Sequence, residues 1–307
     1  ASLNHIDVWV RQGNPPYDKI AFPHISGCDA SGVVEAVGKG VSSKAVGRNV
    51  MIHPGLSDFT CDYCRAGLDN RCVNYKIFGA HADGAFAEYA KVPAVNLVPM
   101  PDALSFEQAA AMPLTFVTSW HLLVTRAGLR SAETLLVLAA GSGVGSAALK
   151  IAKHIGAKVI ATAGLDEKCA KALDEGADYS INHVKDDFSK KVMEITDGRG
   201  ADVVFDHVGP ETWQKSLASV AKGGRIATCG STSGKEISMG LRQIFGKHAT
   251  ILGSMMGTLA ELTEIAQLAG EGALKPVIDS VFKLDDLRKA QDKMLSRNFF
   301  GKIVVVP

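Results

Sequence analysis

The sequence predicts an α/β protein built on a doubly wound parallel sheet that binds a nucleotide. Two observations carry this expectation. The apolar run Leu135–Ala140 passes directly into the glycine turn Gly141-Ser142-Gly143-Val144-Gly145, after which apolar residues recur at helical spacing. Further strand-like segments then follow in step, with helical segments between most of them. A chain of 307 residues leaves room for a second domain.

Each element has its own reason. Leu135–Ala140 is uninterruptedly apolar, as a strand covered on both faces must be. Val144, Ala148, Ile151, Ala152 and Ile155 mark one face of the helix that follows. Between them, Gly141, Ser142, Gly143 and Val144 place backbone N–H groups at a helix N-terminus, where a pyrophosphate is favoured. The remaining strands are expected at Lys158–Ala163, Tyr179–Asn182, Asp202–His207, Arg225–Cys229 and Thr250–Gly253. His207 ends one of them, where ligand crevices lie; it either touches cofactor or caps the strand. Gly230 follows the next one and is a further cofactor candidate.

The end of the second strand bears on which dinucleotide binds. NAD enzymes carry an acid there for the ribose hydroxyls. Here the tip is Ala163-Gly164, Asp166 sits past it, and Lys168 follows a turn later. An absent acid with a nearby cation favours NADP, with NAD as the alternative. Lys168 reads equally as a solvated charge on a helix face.

Composition excludes other classes. The formal net charge is +1, with no long basic run, which disfavours nucleic acid and anionic membranes as partners. No apolar stretch reaches the roughly 18–20 residues of a membrane span, and no signal peptide opens the chain, so a cytoplasmic protein is expected. The opening "ASLNHIDVWV" lacks Met and reads as buried chain, so a preceding segment is expected.

Three of the six cysteines, Cys61, Cys64 and Cys72, fall within "DFTCDYCRAGLDNRC". The C-x2-C pair clasps a tetrahedral ion from a tight turn, and Cys72 swings in after a short loop. Asp58 extends the same spacing and supplies a fourth ligand. A site filled by four protein ligands has no open position and is structural, so one Zn2+ is expected. A redox C-x-x-C lacks its βαβ context here, and unliganded thiols are the remaining alternative.

From these residues the whole chain resembles the medium-chain dehydrogenase/reductase superfamily. "GCDASGVVEAVGKGV" (27–41), "DGAFAEYAKVP" (83–93), "AAAMPLTFVTSWHLL" (109–123) and "FFGKIVVVP" (299–307) resemble its barrel motif, barrel-closing strand, hinge helix and returning C-terminal strand. The resemblance implies a GroES-like β-barrel catalytic domain over 1–113 and 260–307, and a Rossmann domain over 114–259. The cysteine lobe resembles the structural-zinc lobe of the alcohol dehydrogenase branch, with Asp58 in place of the usual first Cys.

The catalytic-zinc pattern is degenerate. Where zinc-dependent members carry a Cys, a His-Glu pair and a Cys or Asp, this chain has Asn4, Cys28-Asp29 and Leu114. Ile6 and Trp9 fill the positions of the hydroxyl relay. An amide is a poor zinc ligand and leucine is none. His5 and His24 are candidates to rescue a site, but a lone His near an apolar strand is more often structural. "NHIDVWVRQG" instead resembles the zinc-free quinone oxidoreductases and enoyl reductases.

That likeness implies hydride transfer from a nicotinamide to quinones or to C=C bonds conjugated to a carbonyl or thioester. Asn4 is then a candidate to position the nicotinamide or the substrate carbonyl, and Asp7 to brace the loop. Tyr17, in a loop stiffened by Pro15-Pro16, is a candidate acid; its alternative is a half-buried surface tyrosine. Thr118 resembles the hydroxyl facing the nicotinamide ring, and Gly253-Ser254 the segment holding the carboxamide. Met255 and Met256 would line an adaptable apolar pocket or fill core. A homodimer or homotetramer paired through 249–257 is implied by the same likeness. Two other functions stay open: a zinc-dependent alcohol dehydrogenase with improvised ligands, and an NADPH-binding protein without turnover.

Overall fold

The computed structural model describes residues 1–14 and 16–307, so Pro15 and its expected stiffening role lie outside the described residues. The chain forms two compact units, Ala1–Val117 with Gly257–Pro307, and Thr118–Met256. The first division falls inside the helix Pro113–Trp120, a little beyond the expected boundary at 113/114.

Unit Thr118–Met256 holds six strands: β1 (Thr134–Val137), β2 (Lys158–Ala163), β3 (Tyr179–Asn182), β4 (Ala201–Phe205), β5 (Val220–Thr228) and β6 (Thr250–Gly253). Their order is β6-β5-β4-β1-β2-β3, and every pairing is parallel. The order reverses between β1 and β4, which makes that junction the topological switch point. Leu135, Leu136, Val137, Val203, Val204 and Phe205 are fully buried, as strands covered on both faces require.

Two strands are shorter than the apolar runs suggested. β1 stops at Val137 because Ala139 takes a left-handed φ of 44°. The backbone N–H groups of Leu138 and Ala140 still donate to Phe205 and Thr162. β4 stops at Phe205 because the Asp206 carboxylate accepts from the Val208 and Gly209 N–H groups, both at 3.0 Å, and turns the chain.

In the other unit, Ser31–Val33, Asn49–Ile52 and Leu97–Pro99 form an antiparallel sheet. Gly55–Leu56 pairs with Lys76–Ile77, and Ile278–Lys283 runs parallel to Lys302–Val306. The segment 83–93 is irregular and not the regular strand that its sequence suggested; Gly84, Ala85 and Phe86 follow residues 25–27 through single backbone bonds. Gly27 and Gly84 sit at that close approach, where a Cβ on either would strike backbone of the facing segment. Ser2 bridges both Asp29 and Val304, so the first residues of the chain lie beside its last strand. This closure delivers Lys302 to the neighbourhood of Asn4 and Asp29.

Candidate functional site

The metal lobe is built locally. Cys61 precedes the short helix Asp62–Arg65, and Cys72 follows the single turn Asp69–Arg71. One ligand atom from each of Asp58, Cys61, Cys64 and Cys72 lies within 4.8 Å of all the others. This is the only such group of three or more His, Cys, Asp or Glu among the described residues. The carboxylate is held by N–H donors from Thr60 (2.8 Å) and Cys61 (3.1 Å) and by the Asn74 amide (2.8 Å), which together hold its pKa well below the usual carboxylate range. Backbone N–H groups of Asp58 and Asn74 donate to Cys72 Sγ, each at 3.4 Å. The N–H groups of Cys64 and Val73 lower Cys61, while burial and the neighbouring thiols push Cys64 up to about 12. Three sulfurs and one oxygen at this spacing, with N–H groups aimed at sulfur, fit a tetrahedral Zn2+.

The second constellation surrounds the degenerate catalytic-zinc positions. Asp29 is fully buried; its Oδ1 accepts from the Leu114 N–H at 2.7 Å, and its Oδ2 from Asn4 Nδ2 at 2.8 Å and Lys302 Nζ at 2.9 Å. Lys302, 3% exposed, also donates to Asn4 Oδ1 at 2.7 Å and to the Leu3 carbonyl at 2.8 Å. Asn4 is therefore a member of a buried network and not an isolated amide. Asp7, also fully buried, accepts from the Asn4 N–H (2.8 Å) and the Gly27 N–H (3.2 Å) and lies 3.5 Å from Cys28 Sγ. Burial pushes its carboxyl up to about 7 and pushes the Cys28 thiol up as well.

Neither substitute histidine joins a ligand group. His24 bonds to the Gly79 carbonyl through Nε2 at 3.0 Å and faces Asp83 through Nδ1 at 3.4 Å. His5 packs on Trp9 at 6.2 Å, and its pKa is lowered by burial and nearby cations. Beside them, Ile6, Val10, Cys28, Ile77 and Ala80 form an apolar cluster, with Trp9, Tyr17, Tyr75 and Leu114 packed on it. Tyr17 is half-buried, edge-on to His81 at 5.9 Å, and burial raises its pKa. The fold thus brings Tyr17 to the same cluster as Cys28 and Leu114.

In the parallel-sheet unit the glycine turn meets the switch point. Helix α1 (Gly143–Ile155) starts immediately after it, with Ser142 as N-cap accepting from the Gly145 N–H at 2.9 Å. A Cβ on Gly145 would strike the Ala139 carbonyl, so only glycine allows this close helix–strand approach. No acidic residue lies in the first turn of α1, which keeps its positive end available to an anion. Ser142 Oγ lies 2.9 Å from His207 Nε2, and this bond spans the carboxyl ends of β1 and β4. Gly230 backs the same point; a Cβ there would meet the His207 carbonyl at 3.0 Å.

Around β2, Gly164 faces His183, and Asp166 is tied to Asn182 at 2.7 Å and to Lys185. Lys168 is half-buried on the next helix. Thr118 is buried, with its hydroxyl 3.9 Å from Met256 Sδ. Gly253 ends β6, and Ser254 donates through its N–H to Thr228 at 3.0 Å and through Oγ to Met256 at 3.3 Å. Met256 is buried and Met255 is 58% exposed, so the two methionines do not share one environment.

Sequence reasoning missed Lys302. A signal existed: it is the one charge in the run "KIVVV", and a lysine in a buried strand is rare unless paired.

A model of the zinc-binding dehydrogenase family matches residues 143–271, and one of the alcohol dehydrogenase GroES-like domain matches residues 1–102. An acryloyl-coenzyme A reductase from Sulfurisphaera tokodaii is 32% identical, the match covering 100% of this chain and 90% of that protein. A quinone oxidoreductase from Salmonella typhimurium is also 32% identical, with 99% and 88% covered. The crystal structure of an NAD-dependent alcohol dehydrogenase superposes with a TM-score of 0.95 at 45% identity, covering 100% of this chain and 89% of that one. The 2-octenoyl-CoA carboxylase reductase CinF, solved with NADP and 2-octenoyl-CoA, gives 0.92 at 28% identity, covering 100% and 77%.

Proposed function

The chain belongs to the medium-chain dehydrogenase/reductase superfamily of oxidoreductases, and from that premise we propose that it reduces quinones or α,β-unsaturated carbonyl compounds, enoyl-CoA thioesters included, without a catalytic zinc. The observation that carries this reading is the Lys302 ammonium bonded to Asn4 and Asp29, at two positions of the degenerate ligand set. Beyond Asp29, whose carboxylate is already paired with the Lys302 ammonium, the set offers a divalent ion one amide (Asn4), one buried thiol (Cys28) and an aliphatic chain (Leu114). A conjugated alkene already has a polarised carbon, so it needs orientation and exclusion of water more than a Lewis acid.

Bound NADPH would supply the hydride, which adds to the β-carbon of the acceptor. The protein's tasks are to hold the pyrophosphate, orient the acceptor and place a proton. The α1 N-terminus and the turn Gly141–Val144 would bind the pyrophosphate, beside the Ser142–His207 pair. Gly164, just past β2, would leave room for the adenosine ribose, and Lys168 would pair with the 2′-phosphate. Gly230, Gly253 and Ser254 would border the nicotinamide end, with Thr118 facing the ring. Tyr17 would give its phenolic proton to the α-carbon; Tyr17→Phe should lower kcat by about 100-fold if so. Asp58, Cys61, Cys64 and Cys72 would hold one structural Zn2+. A cytoplasmic homodimer or homotetramer is part of the same reading.

The relatives favour this in two ways: acryloyl-CoA reductase and quinone oxidoreductase are among them, and CinF was solved with NADP and an enoyl-CoA. The alternative, a zinc-dependent alcohol dehydrogenase, is favoured by the 45% identical structure. NADPH and NADH oxidation with acryloyl-CoA, an enone and a quinone separates them from alcohol oxidation with NAD+ or NADP+. Faster turnover of the activated alkenes with NADPH supports the proposal, and alcohol oxidation alone refutes it.

A further inference from the structure

Lys302 has three N–H donors and no acceptor, and the structure uses all three: on the Leu3 carbonyl, on Asn4 Oδ1 and on Asp29 Oδ2. Asp29, as a carboxylate, only accepts, so the side of Asn4 facing it must be the NH2 group. The two charged neighbours therefore dictate which end of the amide points where. Of the two amide N–H groups of Asn4, Asp29 takes one, and among the described residues nothing accepts the other.

We propose that Lys302 is a positioning residue that orients Asn4, so that this remaining N–H serves the carbonyl oxygen of the acceptor. The inference rests on the reading of the chain as a reductase of activated carbonyl compounds. As hydride adds to the β-carbon, the electron pair of the C=C moves toward the carbonyl and negative charge builds on its oxygen. A pre-oriented donor stabilises that charge without reorganising. The ammonium on Oδ1 draws electron density from the amide, which strengthens its N–H as a donor. The Lys302–Asp29 pair supplies this polarisation while its two charges balance.

Removing Lys302 alone would strand the Asp29 carboxylate, so the test variant is the neutral pair Lys302→Met with Asp29→Asn, both buried and similar in shape to the originals. With crotonyl-CoA or a simple enone as acceptor, kcat should fall at least about tenfold, while NADPH binding measured by fluorescence stays within about twofold. Asn4→Ala should cause the same fall, and the triple variant should be no worse than either, because both changes remove one donor. Multiplying effects, or an undiminished kcat in the neutral pair, overturn the inference. A crystal structure of the neutral pair gives a readout independent of turnover and of which substrate is right: the Asn4 amide should leave its wild-type orientation. An unmoved Asn4 overturns the positioning role. Absence of alkene reduction by the wild type, with Asn4 displaced in the variant, overturns the reading of the function and leaves the positioning standing. If the neutral pair does not fold, Lys302→Arg replaces it: the charge is kept with a different reach, Asn4 should shift and kcat should fall, and wild-type values for both would overturn the inference.

Discussion

Two regions of the barrel-side unit answer the same electrostatic problem in opposite ways. In the cysteine lobe, a cluster of anion-forming side chains, Asp58, Cys61, Cys64 and Cys72, would on the proposed reading take a cation from outside the chain. In the Asn4–Asp29 network, the chain supplies its own cation, the Lys302 ammonium, from its last strand. The first cluster spans a few turns of sequence and is partly exposed. The second joins both ends of the chain and is almost wholly buried. A borrowed ion can be removed and returned; a tethered one cannot, and its loss leaves a buried charge behind.

The largest effect should come from breaking the lobe. Cys61→Ser removes one of the three sulfur ligands of the proposed ion, and the variant should bind no zinc in the lobe and become protease-sensitive between residues 56 and 76. Zinc-finger peptides give structural ions an apparent worth of about 10–16 kcal/mol, which sets the scale. Limited proteolysis with elemental analysis checks this, and cofactor binding by the parallel-sheet unit should persist.

Next comes Lys302→Met, which should destabilise the protein by about 3–5 kcal/mol in urea denaturation, since Asp29 is then buried and unpaired. Adding Asp29→Asn should recover most of that loss. No comparable rescue exists in the lobe, which makes the pair of experiments a direct contrast of borrowed and built-in cations.

A pH series sharpens the contrast further. Asp7 has a carboxyl raised to about 7 from 3.8, so between those values the folded state binds a proton that the unfolded state does not. Its contribution is fully present below about pH 4 and is lost as pH rises through 7. The loss amounts to at most about 4 kcal/mol. Asp7→Asn should remove this slope, read as the wild-type minus variant difference in urea stability at pH 5 and pH 8. The difference cancels the buried histidines, whose lowered pKa values act in the opposite direction.

The smallest effect is expected at Lys168, a half-buried cation on the helix after β2. Lys168→Ala should weaken NADPH binding about tenfold, or about 1.4 kcal/mol, and leave NADH within about twofold. Titration by fluorescence quenching separates the two.

How much of this could be read in the sequence follows the same contrast. The clustering of Asp58, Cys61, Cys64 and Cys72 was readable because the four lie close in the chain at a regular spacing. The parallel sheet was readable for a similar reason: β2, β3 and β6 fall where periodicity put them. Errors arose where local geometry overrides apolar runs, as when the left-handed backbone of Ala139 and the carboxylate of Asp206 end β1 and β4 early. The buried network was only half visible. Asn4, Cys28, Asp29 and Leu114 stood out against the family pattern, but their meaning depended on Lys302, at the far end of the chain. No local spacing links residues so far apart; the tertiary pairing of residues 1–3 with the last strand does, through the Ser2–Val304 bridge and the backbone bonds of Ala1 with Val305 and of Leu3 with Ile303.

The central claim is that one cation is borrowed and the other is built in. The most direct test is the zinc content of purified, folded, catalytically active protein, measured by elemental analysis. The account predicts about one ion per chain. About two ions per chain would contradict it, place a metal among Asn4, Cys28 and Asp29, and return the chain to alcohols and aldehydes as substrates.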